Sequence, residues 1–238
     1  MKPTVFLISF FLASFVLSCS KSVNYSPEHI KQTSGRYLYN YNEVIDVYYE
    51  NNKLFLKWKG ASKVEPVVLD ENTFFVADMY KKLRFVKHPD TKKRYLATVS
   101  ADDETKVSYD FLKVEDTYNT PRMYLQNKDY NNALKGYLEL RKQDSTQIYI
   151  EEREVNSIGY NFLNEKDYDN AIAVLKMNVA LYPESDNVYD SLADAYVRSG
   201  DSLQAFNNYK KALELNSGNE RAKSFVKNYS SKKQLLEN

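Results

Sequence analysis

The stretch KDYNNALKGY, residues 128–137, returns as KDYDNAIAVL at 166–175, and a fainter copy, GDSLQAFNNY, follows at 200–209. Aligned on their small residue, the three copies place Ala133, Ala171 and Ala205 in register, the last two 34 residues apart. A phrase restated at a fixed interval marks one supersecondary unit stacked on itself. The same interval carries Gly159 onto Ala193, Phe162 onto Tyr196, Leu175 onto Tyr209 and Pro183 onto Ser217. Leu134, Tyr137 and Leu138 recur with helical spacing, and Ile172, Leu175 and Val179 share a helical face, so the unit is made of helices.

These positions resemble the signature of the tetratricopeptide repeat. The resemblance implies two antiparallel helices per unit, with Gly159 or Ala193 on the first helix and Ala171 or Ala205 on the second letting the backbones approach. Phe162, Tyr196, Leu175 and Tyr209 would fill the space around them. Lys166-Asp167-Tyr168 and Gly200-Asp201-Ser202 would form the turns. Asn178 departs from the small apolar residue expected there, and Ser217 stands where a Pro is usual. The first unit, near 117–143, has Pro121 in place of a small residue, and its spacing to the next is 38, which puts four inserted residues around Ile148–Glu154. A Lys-rich helix, about Asn219–Leu236, is expected to cap the stack. The resemblance further implies a concave groove lined by the first helices. In the second unit its lining would be Arg153, Asn156, Tyr160 and Asn164; in the third, Asn187, Asp190, Asp194 and Arg198. Such grooves hold extended peptides or partner helices. The Lys that clamps a C-terminal carboxylate in some members is replaced here by Asn156 and Asp190, so that mode is not expected.

Ahead of residue 116 the period changes from 3.6 to 2. Tyr37, Tyr39 and Tyr41 fall on one face of a strand, then Val47 and Tyr49, then Leu54, Leu56 and Trp58 beyond an Asn51-Asn52 turn. Further runs are Val64–Leu69, Thr73–Ala77, Lys82–Val86, Arg94–Val99 and Val107–Val114, about eight strands in all. This is the pattern of an antiparallel meander closing into a small barrel or sandwich. Ser26-Pro27-Glu28, Gly35-Arg36-Tyr37, Val47, Leu54-Phe55-Leu56, Phe74-Phe75 and Leu83-Arg84-Phe85 give the segment a resemblance to the small β module appended to penicillin-recognising serine hydrolases. That resemblance brings no catalytic residue with it.

The N-terminus reads as an export signal. Lys2 precedes an apolar run from Val5 to Leu17, too short to span a bilayer. The run ends in Val16-Leu17-Ser18-Cys19, which resembles a bacterial lipobox and implies lipid on Cys19. Cys19 is the chain's one cysteine, so no internal disulfide can form. Ser20 after the Cys implies, by resemblance to enteric lipoproteins, the outer membrane, with the periplasmic face expected.

Composition excludes several classes. A net charge of +1 gives no field for nucleic acid. Ser185-Asp186-Asn187 and Ser224-Phe225-Val226-Lys227 mimic two penicillin-enzyme motifs, but in the wrong order and without Lys-Thr-Gly. The two histidines, His29 and His88, belong to no recognisable triad. Asp186, Asp190 and Asp194 share one helix face at spacing four, which reads as a solvated face in preference to a cation site. No cofactor or metal is expected.

The reading is therefore α+β in two domains, a small antiparallel β barrel or sandwich followed by a helical repeat solenoid. The expected divisions are a signal at 1–18, a linker at 19–34, the β domain at 35–115 and the repeats at 116–238. The function expected is that of a non-catalytic, lipid-anchored envelope adaptor binding a protein or peptide. The alternatives are a glycan or small-ligand carrier using the β domain, and an accessory fragment of a serine hydrolase system.

Overall fold

In the computed structural model, residues 23–237 are described. The expected signal and Cys19 lie outside them. Of the stretch expected as a linker, 19–34, the described residues 23–34 pack against the β sheet. Helix α1, Pro27–Thr33, starts at Ser26, whose side chain accepts the amide of His29, and carries Pro27 in its first turn. Seven residues cannot hold a helix alone. Tyr49 and Thr33 share a hydrogen bond of 2.7 Å between their hydroxyls, the Tyr37 hydroxyl donates to the Thr33 carbonyl at 2.8 Å, and Lys113 donates to that of Gln32 at 3.0 Å. Just before the helix, Asn52 grips the Tyr25 backbone at both its amide and its carbonyl, and Tyr25 is buried in the β core.

The described residues hold nine strands: β1 Gly35–Asn40, β2 Glu43–Glu50, β3 Lys53–Trp58, β4 Ala61–Val64, β5 Val67–Val68, β6 Thr73–Val76, β7 Lys81–Lys87, β8 Arg94–Thr98 and β9 Phe111–Val114. Their order is β4-β3-β2-β1-β9-β8-β7-β6-β5, antiparallel throughout. The first and last strands of that order are neighbours in sequence yet do not pair, so the sheet is an open barrel with its seam at Glu65-Pro66. The seam splits the single strand expected over Val64–Leu69, because Pro66 has no N–H to give a ladder. The expected run Val107–Val114 is likewise shorter, pairing from Phe111. Tyr37, Ile45, Val47, Leu56, Phe74, Leu83 and Leu96 fill the interior. Asn51 and Asn52 both take positive φ, 50° and 61°, as a two-residue hairpin turn requires.

Seven helices follow: α2 Pro121–Gln126, α3 Tyr130–Gln143, α4 Glu152–Asn164, α5 Tyr168–Leu181, α6 Asp186–Ser199, α7 Ser202–Leu215 and α8 Glu220–Glu237. They form successive antiparallel hairpins resembling tetratricopeptide units. The repeated phrase is the chemistry of the turn. Lys128, Lys166 and Gly200 sit at φ 60°, 62° and 91°, each just before an Asp. The amides of Asp129, Asp167 and Asp201 reach back to Tyr124, Phe162 and Tyr196, each at 2.9 Å. The same Asp side chains then cap the next helix by accepting from the amides of Asn132, Asn170 and Gln204. Ala133, Ala171 and Ala205 that follow are fully buried. A Cβ on Gly159 would lie 2.6 Å from Leu175 Cγ, so glycine is what lets α4 and α5 touch there.

Asn178, the apparent misfit, is fully buried and donates to Asn156 Oδ1 at 2.9 Å and to the Glu152 carbonyl at 3.0 Å. The four-residue insertion sits between hairpins. The α3–α4 connection runs 144–151, eight residues, where α5–α6 and α7–α8 use four, 182–185 and 216–219. It meets the β domain. Tyr41, expected on the strand, instead joins Asn42 at the tip of the β1–β2 hairpin, because the ladder shifts register between Leu38 and Asn40. The Asn42 side-chain Nδ2 donates to the Tyr149 carbonyl at 2.8 Å, the Asn42 backbone carbonyl accepts from Thr120 Oγ1 at 3.0 Å, and Tyr41 meets Tyr149 edge-to-face at 5.1 Å.

Lys166 pays for its left-handed backbone. Lys166→Gly should raise stability by about 0–1.6 kcal/mol, the roughly 1–2 kcal/mol of relieved strain less the ~0.4–1 kcal/mol of extra unfolded-state freedom. Denaturant titration checks this; a loss would contradict the turn assignment.

Candidate functional site

The first helices of the units, α4 and α6, carry the residues expected in the groove, and α8 continues the row. Register 34 aligns Arg153 with Asn187 and Arg221, Asn156 with Asp190, Tyr160 with Asp194, and Asn164 with Arg198. Cross-helix contacts put them on one face. Asn187 donates to Glu152 at 2.7 Å, the Arg198 guanidinium lies 5.9 Å from the Tyr160 ring centre, and Arg221 reaches Asp194 at 3.9 Å.

Two expected lining residues are not available to a partner. Asn156 is buried, because its amide oxygen serves Asn178. Asp190 is buried too, because α8 folds over it. Asn219 donates to its Oδ1 at 3.0 Å, and Arg221 takes both its oxygens, Nε to Oδ1 at 3.2 Å and Nη2 to Oδ2. Asp194 is held from two sides, with Arg198 Nη2 at 3.1 Å from its Oδ2 besides Arg221. That Oδ2 is buried and accepts no aligned hydrogen bond within the protein, so the contact is an ion pair rather than a hydrogen bond. The Asp186–Asp190–Asp194 row therefore turns to separate partners, Asp186 accepting from Asn216 at 3.0 Å. Among the described residues no three or more His, Cys, Asp or Glu side chains gather as metal ligands.

The residues left on the surface are Arg153, Asn164, Asn187 and Arg198, with Tyr160 half-buried beside Arg198. Sequence reasoning missed Arg221, although the register extended by one more interval from Asn187 lands on it. It also missed Tyr209 beneath the network. Its phenol is pushed up to about 12, first by burial, then by the negative Asp194 and by Tyr160, with Arg198 opposing. Arg221 also packs over its ring at 6.0 Å. Arg198 and Arg221 hold two enclosed carboxylates, Asp190 and Asp194, while Arg153 lies 3.9 Å from Glu151, which leaves a face of paired charges with one aromatic ring and two amides.

No family model matches the chain, and no curated protein matches it. Solved structures match its helical half. MamA is 19% identical, covering 46% of this chain and 61% of that one, with a TM-score of 0.30. The chain thus spans less than two thirds of MamA. The first TPR of Spaghetti (RPAP3) bound to the HSP90 peptide SRMEEVD is 19% identical, covering 50% and 88%, with a TM-score of 0.33. The Yersinia enterocolitica type III secretion chaperone SycD in complex with a peptide of the translocator YopD is 19% identical, covering 46% and 86%, with a TM-score of 0.33.

Arg221→Ala would leave Asp190 buried with one amide partner. The expected loss is about 1–3 kcal/mol, below that of a fully buried pair because Arg221 is half exposed. Hydrogen exchange should show α8 opening from its first turn. Unchanged protection there would show that α8 docks through its apolar face alone.

Proposed function

We propose that the protein is a non-catalytic adaptor that captures a protein or peptide partner on the face formed by α4, α6 and α8. The observation that carries this is the alignment of Arg153, Tyr160, Asn164 and Arg198 on successive first helices, outward from a core that the repeat already fills. An extended chain laid across these helices meets an aromatic ring, amides that both donate and accept, and cations whose stems pack flat. Asp190 and Asp194 act from below as positioning groups, holding Arg221 and Arg198 in place. We further propose that Cys19 is lipidated after export and tethers the protein to the outer membrane, on its periplasmic face. The apolar run from Val5 to Leu17 and the single cysteine support this.

Full-length protein recovered from envelopes under mild solubilisation tests both parts. Wild type should bring down one stoichiometric protein. A triple variant, Arg153→Ala, Tyr160→Ala and Arg198→Ala, should lose it while its helical circular dichroism is unchanged. Capture that survives the triple variant overturns the groove. In the same strain Cys19→Ser should move the protein from the membrane pellet to the soluble fraction; unaltered partition overturns the anchor.

A further inference from the structure

Away from the groove, the joint between the two halves forms an open cleft of about 570 Å³, within the range of small-ligand pockets. One wall is the β1–β2 hairpin tip with Lys59. The other is built by Arg122, Gln126 and the inserted residues Gln147–Tyr149. We propose that this cleft binds a neutral saccharide.

The charges on its walls are already matched. Arg122 makes a two-pronged bridge to Glu154, at 2.6 and 3.3 Å, and Lys59 lies 3.9 Å from Glu43. A neutral ligand leaves both pairs intact. The remaining lining is rich in primary amides: Asn40, Asn42, Gln126 and Gln147. Asn40 is engaged at both ends, donating to Glu43 and accepting the Asn42 backbone amide, Asn42 donates to Tyr149 and Gln147 bonds Asp144, so it is Gln126 that offers donor and acceptor side by side to vicinal hydroxyls, which also do both. Tyr41, 44% exposed, supplies the flat apolar surface on which the C–H face of a sugar ring packs, and Ile148, 76% exposed, extends it.

Two further atoms point to a hydroxyl-bearing occupant. Asn42 Oδ1 and the Tyr149 hydroxyl are buried and have no hydrogen-bond partner within the protein, although Tyr149 is only 9% exposed. Buried polar atoms are rarely left so. One needs a donor and the other accepts or donates, and a sugar hydroxyl serves both. The insertion that breaks the 34-residue spacing thereby gains a role: it forms a wall the regular repeat cannot supply.

The test is titration of the full chain, by calorimetry and ligand-observed NMR, with maltotetraose, cellotetraose and tetra-N-acetylchitotetraose. The expected result is saturable binding of at least one. Tyr41→Ala should weaken it at least tenfold. Gln126→Ala, on α2 and outside the hairpin contacts, should weaken it severalfold without changing the unfolding transition. The groove triple variant should bind sugar as wild type does, which separates this site from the adaptor reading. Absence of saturable binding to all three overturns the proposal. So does binding indifferent to both cleft substitutions, or a cleft that takes a neutral peptide and no sugar.

Discussion

The relative placement of the two halves hangs on Asn42. One residue at the hairpin tip donates to the Tyr149 carbonyl and accepts from Thr120, so the loop before α4 and the cap of α2 are fastened to the same point. Thr120 does double work, since its hydroxyl also accepts the Met123 amide that begins α2. Arg36 adds a third tie by donating to the Tyr118 carbonyl at 2.6 Å. Bonds of this kind are each worth about 1 kcal/mol. Their effect is directional rather than large: they orient the barrel against the first helical hairpin, and the cleft exists only in that orientation.

Within the helical half the recurring device is the turn. A left-handed residue, an Asp cap and a buried Ala follow in that order three times, and each turn closes with the same backbone hydrogen bond from the Asp amide. The apolar core then runs from Leu125 to Ala205 without interruption. Polar departures are absorbed pairwise. Asn178 requires Asn156, and Asp190 requires Arg221. Each pair removes one residue from the accessible groove and stiffens what is left, which favours a partner that meets a preformed face.

Much of this could be read from the chain. Ala133, Ala171 and Ala205 set the register because a larger side chain would separate the helices, and that constraint is local and periodic. Asn51-Asn52 announced its hairpin for a similar local reason. The insertion was visible as a spacing of 38, but its purpose was not, since Tyr149 meets Asn42 across 107 positions. Asp190 looked like a groove residue because its burial depends on Arg221, 31 positions away. Helix α1 was hidden by its shortness, although Ser26 and Pro27 carried the start signal. The split at Pro66 was legible in principle and was overridden by the apolar run around it.

The joint is tested most directly by a distance. With Cys19 replaced by Ser, spin labels at Lys53→Cys and Asn207→Cys would report the separation of the β domain from α7 by pulsed dipolar spectroscopy on the full chain. Both positions are exposed and outside the joint. The account predicts one narrow distribution that broadens when Asn42→Ala and Tyr149→Ala are added. A broad distribution before those changes, or one they leave unaltered, would contradict it.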